Sequence, residues 1–277
     1  MNVERLEVIV LWLAFLAYAA ALVLFIYYLL TKREGQNRLG LTAAVAGWGL
    51  QTVSLSLRAV HAGHAPVQGG YESLLTISWC IVSVYLVLEW RTRVKALGLY
   101  AMPLVCVLLA VAWTKYEAPA ELLPALRSDI VVIHVIMIFT AIASFTVAGG
   151  AALIYLFEER QLKHHRAGGV LGRLPTLPTL DRLSGHAIMF GLPFLTMGIV
   201  AGIIRAVKFG VEHWYTDPLV LLAIGAWVLY AVFVYLRFVA GWRGRRPAYL
   251  ALAGVVCLLV IRFVAVPYLS GFHNWGS

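Results

Sequence analysis

Residues 8–30 read VIVLWLAFLAYAAALVLFIYYLL, a run with no charged side chain. At 1.5 Å per residue, a helix of that length crosses the ~30 Å hydrocarbon core of a bilayer. It is too long for the apolar core of a secretory signal, and Lys32 and Arg33 follow it directly. It therefore reads as a retained first membrane span. The rest of the chain continues in kind. Of 277 residues, 62% are hydrophobic and 13% charged, whereas soluble domains carry about 25% charged residues. Further apolar runs cover 40–62, 73–90, 97–114, 130–157, 187–207, 219–239 and 247–268. The expectation is an all-α, polytopic bundle of about eight transmembrane helices, organised as one membrane domain over 1–277.

The net charge of +9 does not form the single stripe that nucleic acid would need, so no nucleic-acid partner is expected. The basic residues sit in short clusters between apolar runs, as in cytoplasmic membrane loops. Lys32, Arg33 and Arg38 lie between runs one and two, and Arg91, Arg93 and Lys95 between three and four. Arg160, Lys163, Arg166, Arg173 and Arg182 lie between five and six; Arg237, Arg243, Arg245 and Arg246 between seven and eight. These are fifteen of the twenty-two basic residues. The asymmetry puts both termini on the non-cytoplasmic side. The connection 158–186, with Gly168, Gly169, Pro175 and Pro178, reads as a surface loop. Gly149-Gly150 and Gly198-x-x-x-Gly202 read as places where helix backbones approach closely. Cys80, Cys106 and Cys257 lack the spacing of a disulfide framework, a zinc site or a redox pair, and read as small core residues.

With that topology, His61, His64, His134, His213 and His273 fall at the outer ends of spans or in outer loops. His134 lies about one turn inside the fifth run, where an imidazole needs a partner, and an ionisable group inside a membrane is a functional candidate. Arg58, Arg205, Lys208 and Arg262 accompany these histidines, as do the aromatic residues Trp214, Tyr215 and Trp275. Histidines near cations and aromatic rings suit heme, with its iron for imidazole, propionates for arginine and an apolar macrocycle. Zinc would call for acidic or thiol ligands at short spacing. A transmembrane two-heme cytochrome b would call for histidine pairs at both depths. Neither pattern is present.

The segment GHAPVQGGYESLLTISW (63–79), with Arg58 upstream, resembles the G-H-x-P…Y-E-S-L…S-W segment of the CcsA family of cytochrome c assembly proteins. The likeness continues through IVVIHVIMIFTAIASF (130–145), LDRLSGHAIMFGLPFLTMGIVAG (180–202) and GWRGRRPAYLALAGV (241–255), and ends at GFHNWGS (271–277). It covers roughly 40–277. The family also includes the CcmC heme handlers and HemX-like proteins. The resemblance implies heme held at the outer face, with His134 and His273 as axial ligands of the iron. A tryptophan-rich segment of the family corresponds to FGVEHWYTDPLV (209–220), in which Gly210, Trp214, Tyr215, Asp217 and Pro218 survive. Leu219-Val220 stands where the family carries Lys-Glu, and Arg237 where CcsA proteins carry a histidine at the inner end of the next span. These departures resemble the HemX-like branch or a divergent CcsA.

By this resemblance Arg58 and His64 support the mouth of the site, while Glu72 serves either the site or the start of its helix; Arg205 and Arg262 are among the cations read above as suited to the propionates. The expected function is binding and handling of heme b in cytochrome c biogenesis, without catalytic turnover of its own. The expected partners are heme and a companion membrane assembly subunit or apocytochrome c. The place is a bacterial or archaeal cytoplasmic (inner) membrane. Two alternatives stand beside it: a HemX-like regulator of heme-synthesis enzyme levels, and a membrane oxidoreductase linking heme to quinone.

Overall fold

A computed structural model describes residues 3–94, 97–118, 128–163, 175–210 and 213–260. Among these residues the chain is helical throughout: α1 (Val3–Thr31), α2 (Glu34–Ala62), α3 (Gly69–Thr92), α4 (Leu97–Thr114), α5 (Asp129–Lys163), α6 (Leu177–Lys208), α7 (Pro218–Phe238) and α8 (Arg245–Val260), with one 3-10 turn at Trp214–Thr216. Each expected apolar run falls in one of these helices as far as it is described; 261–268 of the last run lie outside the described residues. Six of them, α1 and α3 to α7, are long and apolar enough to span a membrane. α2 is long enough but too polar by composition, and the described part of α8 has 16 residues. The helices fall into two compact units, α1–α4 and α5–α8.

The polarity of α2 has a physical reason in the first unit. The buried residues of α1 are Glu7, Leu11, Ala14, Tyr18, Ala21 and Phe25, and those of α2 include Gly40, Ala44, Gly47, Gln51, Ser54 and Arg58. Both sets alternate steps of three and four, the spacing of a coiled-coil seam. Aromatic knobs of α1 enter glycine holes: a methyl on Gly47 would stand 2.7 Å from the Tyr18 ring, and one on Gly40 2.7 Å from Phe25. Gln51 and Tyr18, polar side chains on the seam, are satisfied from neighbouring helices. The Tyr18 hydroxyl donates to Gln51 Oε1 (2.7 Å), and Gln51 Nε2 donates to Ser78 Oγ (2.8 Å) and the Leu75 carbonyl (3.1 Å) of α3. Trp79 Nε1 of α3 donates to Thr52 Oγ1 (2.8 Å) of α2. An inward polar face of this kind lowers the hydropathy of a helix without exposing polar atoms to lipid.

Arg58 closes the same seam. It is 2% exposed. Its Nε donates to Glu72 Oε1 of α3 at 2.9 Å, its Nη2 to the Glu117 carbonyl at 2.9 Å, and its Nη1 lies 3.7 Å from Glu7 Oε1 of α1. The Tyr71 ring covers the guanidinium at 4.9 Å. Glu72 uses its other oxygen to accept from the backbone N–H of Gln68, the N-cap residue of α3 (2.9 Å), which ties the helix start to its first turn. α2 itself stops at Gly63, whose φ of 72° is left-handed and whose N–H bonds to the Ala59 carbonyl.

The second unit packs by the same means. The rings of Phe145 (α5) and Tyr230 (α7) stack at 3.7 Å, 10° from parallel. A methyl at Gly149 would collide with Val255 of α8, so the expected close approach at Gly149 is present. The expected loop 158–186 is a misreading at both ends. α5 runs on to Lys163, and α6 begins at Leu177, ten residues before the expected start. Pro178 does not break that helix, because it falls in the first turn, where no intrahelical N–H is needed. Leu180, Leu183, Ala187 and Ile188 give the added turns a buried face. Gly168 and Gly169 lie outside the described residues.

Removing Arg58 would leave Glu72 and Glu7 buried together without their cation, and breaking a buried ion pair from one side costs about 3–5 kcal/mol. Arg58→Ala should therefore lower the thermal unfolding midpoint of detergent-purified protein sharply, whereas Arg38→Ala, an exposed change, should shift it little.

Candidate functional site

His134 enters the structure five residues after the start of α5. Its Nδ1 lies 2.7 Å from the backbone carbonyl of Gly198 in α6. A carbonyl oxygen only accepts, so the ring proton of this bond sits on Nδ1, and in the neutral ring Nε2 keeps its lone pair. The ring lies against Gly202, where an added methyl would come within 2.9 Å of Cε1 and 3.0 Å of Nδ1. An added methyl at Gly198 would instead meet Ile138 of α5, at 2.6 Å from Cδ1. The Gly198-x-x-x-Gly202 pair, read from sequence as a packing notch, thus seats an imidazole as well as an aliphatic side chain.

Arg205 follows on the same stripe of α6, at the i, i+4, i+7 spacing from Gly198 and Gly202. Its guanidinium lies 5.5 Å from the Phe209 ring. Beyond α6, His213 takes a left-handed conformation (φ 56°) and starts the 3-10 turn that carries Trp214 and Tyr215. Tyr215 is 56% exposed and meets Trp214 edge to face at 6.0 Å. The His213 Nδ1 stands 3.2 Å from the Tyr215 hydroxyl. Asp217 caps α7: its Oδ1 accepts from the Leu219 N–H at 2.7 Å, and Pro218 opens the first turn.

The second unit therefore contains His134, Arg205, Trp214, Tyr215 and Asp217. Arg262 and His273 lie outside the described residues. Arg58 and His64 belong to the first unit. Arg58 is engaged by Glu72, Glu7 and the Glu117 carbonyl, as described above, and His64 Nδ1 lies 2.8 Å from the Ala65 carbonyl. The ionisable groups clustered before α3 are thus largely accounted for as a buried ion pair and a helix start.

One arrangement was not foreseen. Arg237, near the end of α7, makes a two-pronged pair with Asp181 of α6, each prong 2.9 Å, and Asp181 Oδ1 also accepts from the Gly244 N–H at 3.1 Å. Both side chains are nearly buried, at 8% and 11% exposure. Gly185, one turn along α6, is small enough to admit the guanidinium, since a methyl there would collide with Arg237. A sequence signal existed in the Asp181-x-x-x-Gly185 step, but its partner lies 56 residues away. Asp181→Ala should leave that guanidinium buried and unpaired, at a cost of about 3–5 kcal/mol. An Asp181→Leu, Arg237→Leu double variant should recover much of the loss in a thermal melt.

Comparison with known proteins bears on the whole arrangement. Residues 67–273 match the family model described as cytochrome C assembly protein. The chain is 32% identical over 253 residues to the cytochrome c biogenesis protein CcsA of Parasynechococcus marenigrum, covering 82% of this chain and 83% of that protein. It is 31% identical over 272 residues to the CcsA of Synechococcus sp. strain CC9605, covering 88% and 89%. To the CcsA of Chlorella vulgaris it is 29% identical over 308 residues, covering 95% and 96%. These relatives are CcsA proteins and lend no specific support to the HemX-like branch.

Proposed function

This chain belongs to the cytochrome c assembly protein family, and from that premise we propose that it binds heme at the non-cytoplasmic face of its membrane and hands it on in the maturation of cytochrome c. The observation that carries this reading is the His134 ring. Its Nδ1 is committed to the Gly198 carbonyl, so the free lone pair is on Nε2, the arrangement a metal-ligating imidazole takes when a backbone carbonyl orients it. His273, outside the described residues, would hold the iron together with His134 in this reading.

The other groups fit the same ligand. Arg205 stands one turn beyond Gly202 and can meet a propionate, a role that Arg262 shares. The half-buried Trp214 and the exposed Tyr215 offer aromatic surface to an apolar macrocycle, and such contacts add about 1 kcal/mol each beyond area burial. Asp217 fixes the turn that carries them by capping α7. Arg58 and His64 support the site through the scaffold of the first unit. When bound, heme b supplies a redox-active iron; the chain supplies ligands, charge partners and a wall. Apocytochrome c is the proposed recipient, with a companion membrane subunit as partner, and the protein has no turnover of its own. It is a multi-pass membrane protein, and a bacterial or archaeal cytoplasmic membrane is its proposed place, with 1–277 acting as one membrane domain.

Protein purified from heme-replete cells should show a sharp low-spin spectrum on reduction. His134→Ala or His273→Ala should lose or convert it, and His164→Ala or His165→Ala should not. An unchanged spectrum in the His134→Ala, His273→Ala double variant would exclude these ligands. A reporter active only outside the cytoplasm should work when fused after Ser277 and fail when fused within 165–175. The reverse pattern would place the heme on the cytoplasmic side.

A further inference from the structure

A carbonyl in the middle of a helix already accepts the N–H four residues on, and has one lone pair left. That second lone pair is normally covered, because a helical side chain lies over the turn N-terminal to its own Cα. The residue that would cover the Gly198 carbonyl is residue 202, which here is glycine. The His134 ring occupies the uncovered place, with Gly202 bare beneath Cε1 and Nδ1 and the Gly198 oxygen 2.7 Å from Nδ1.

The two glycines of the motif do different things. The three atoms nearest to an added methyl at Gly198 all belong to Ile138, and the closest is the movable end of its side chain. At Gly202 they are all atoms of the His134 ring, which is planar and anchored by its hydrogen bond. His134 and Ile138 lie one turn apart on α5, as Gly202 and Gly198 do on α6, so the helices meet through two successive pairs.

We propose that Gly202 is a positioning residue: by uncovering the Gly198 carbonyl it fixes His134 as the Nδ1–H tautomer and leaves Nε2 as the only lone pair the ring can offer a metal. What Nε2 binds rests on the heme reading above; the tautomer and its dependence on Gly202 do not. The chemistry is that of an orienting partner behind a ligating imidazole, whose loss costs roughly 10–100-fold in metal affinity.

The test is nitrogen NMR of full-length, detergent-purified protein labelled with 15N-histidine, heme-free, with the His134 signal assigned by its loss in His134→Ala. Wild type should show a protonated Nδ1 and an unprotonated Nε2. Gly202→Ala should abolish that fixed pattern and reduce retention of added hemin roughly 10–100-fold, with a shifted reduction potential for what remains bound. Gly198→Ala, which displaces Ile138 instead, should keep both the tautomer and the hemin. A wild-type His134 protonated on Nε2 overturns the proposal, and needs no variant to fold. So does a folded Gly202→Ala that keeps the wild-type nitrogen pattern, or one that retains hemin at the wild-type potential. If the pattern depends on Gly202 but wild type takes up no hemin, the positioning role stands and the heme reading falls. If hemin is held through His134 and ignores Gly202→Ala, the heme reading stands and the positioning role falls.

Discussion

Inside a bilayer no water waits to satisfy a polar atom, so its partner has to come from the protein, on its own helix or a neighbouring one. This constraint accounts for much of what the two units look like. Gln51 reaches three groups on two helices, Arg58 reaches α1, α3 and the stretch after α4, His134 reaches α6, and Asp181 reaches α7 and the turn after it. Each of the last three contacts needs short distances between side chain and neighbouring element. Glycine provides that closeness in the second unit: Gly202 beside His134 and Gly185 beside Arg237. In the first unit Gly40 and Gly47 bring α1 and α2 together upstream of Arg58. Small residues and polar residues thus form one design, in which the former set the spacing that lets the latter bond.

The membrane class was legible because apolar runs of span length have few other uses, and their limits were found to within a few residues for α1, α3, α4 and α7. The start of α6 was missed because a proline was read as a breaker, when its position in a first turn makes it a starter. α2 was counted with the spans because 40–62 was read as a further apolar run. Its inward polar face only makes sense once Tyr18, Ser78 and Glu72 are seen opposite it. At the candidate site, His134 was conspicuous because an imidazole at that depth demands an explanation. The partners of His134, Arg58 and Arg237 were not legible, since 64, 14 and 56 residues separate them from Gly198, Glu72 and Asp181, and no local pattern encodes such pairings.

Several residues that carry the family signature also hold the scaffold together. Asp217 caps α7, and Glu72 both starts α3 and neutralises Arg58. Their presence in a sequence therefore reports on folding as much as on ligand chemistry, and the survival of Asp217-Pro218 without the following Lys-Glu is compatible with a turn kept for its geometry. Arg237 makes the same point from the other direction. Where CcsA proteins carry an inner histidine by the resemblance, this chain has a cation already committed to Asp181, and that position here ties helix ends together.

The Arg58 cluster also has a consequence for biosynthesis. Helices of a membrane protein emerge in order from the ribosome, and an arginine entering lipid is unfavourable until it finds a counter-charge. α2 is the polar helix of its unit and carries that arginine. One of its counter-charges, Glu7, is made before it, on α1, while Glu72 arrives only with α3. The nascent α2 thus finds a carboxylate already in place on the helix against which its seam is shaped to pack. The first two helices are suited to enter the membrane as a hairpin, with the third arriving later to complete the neutralisation.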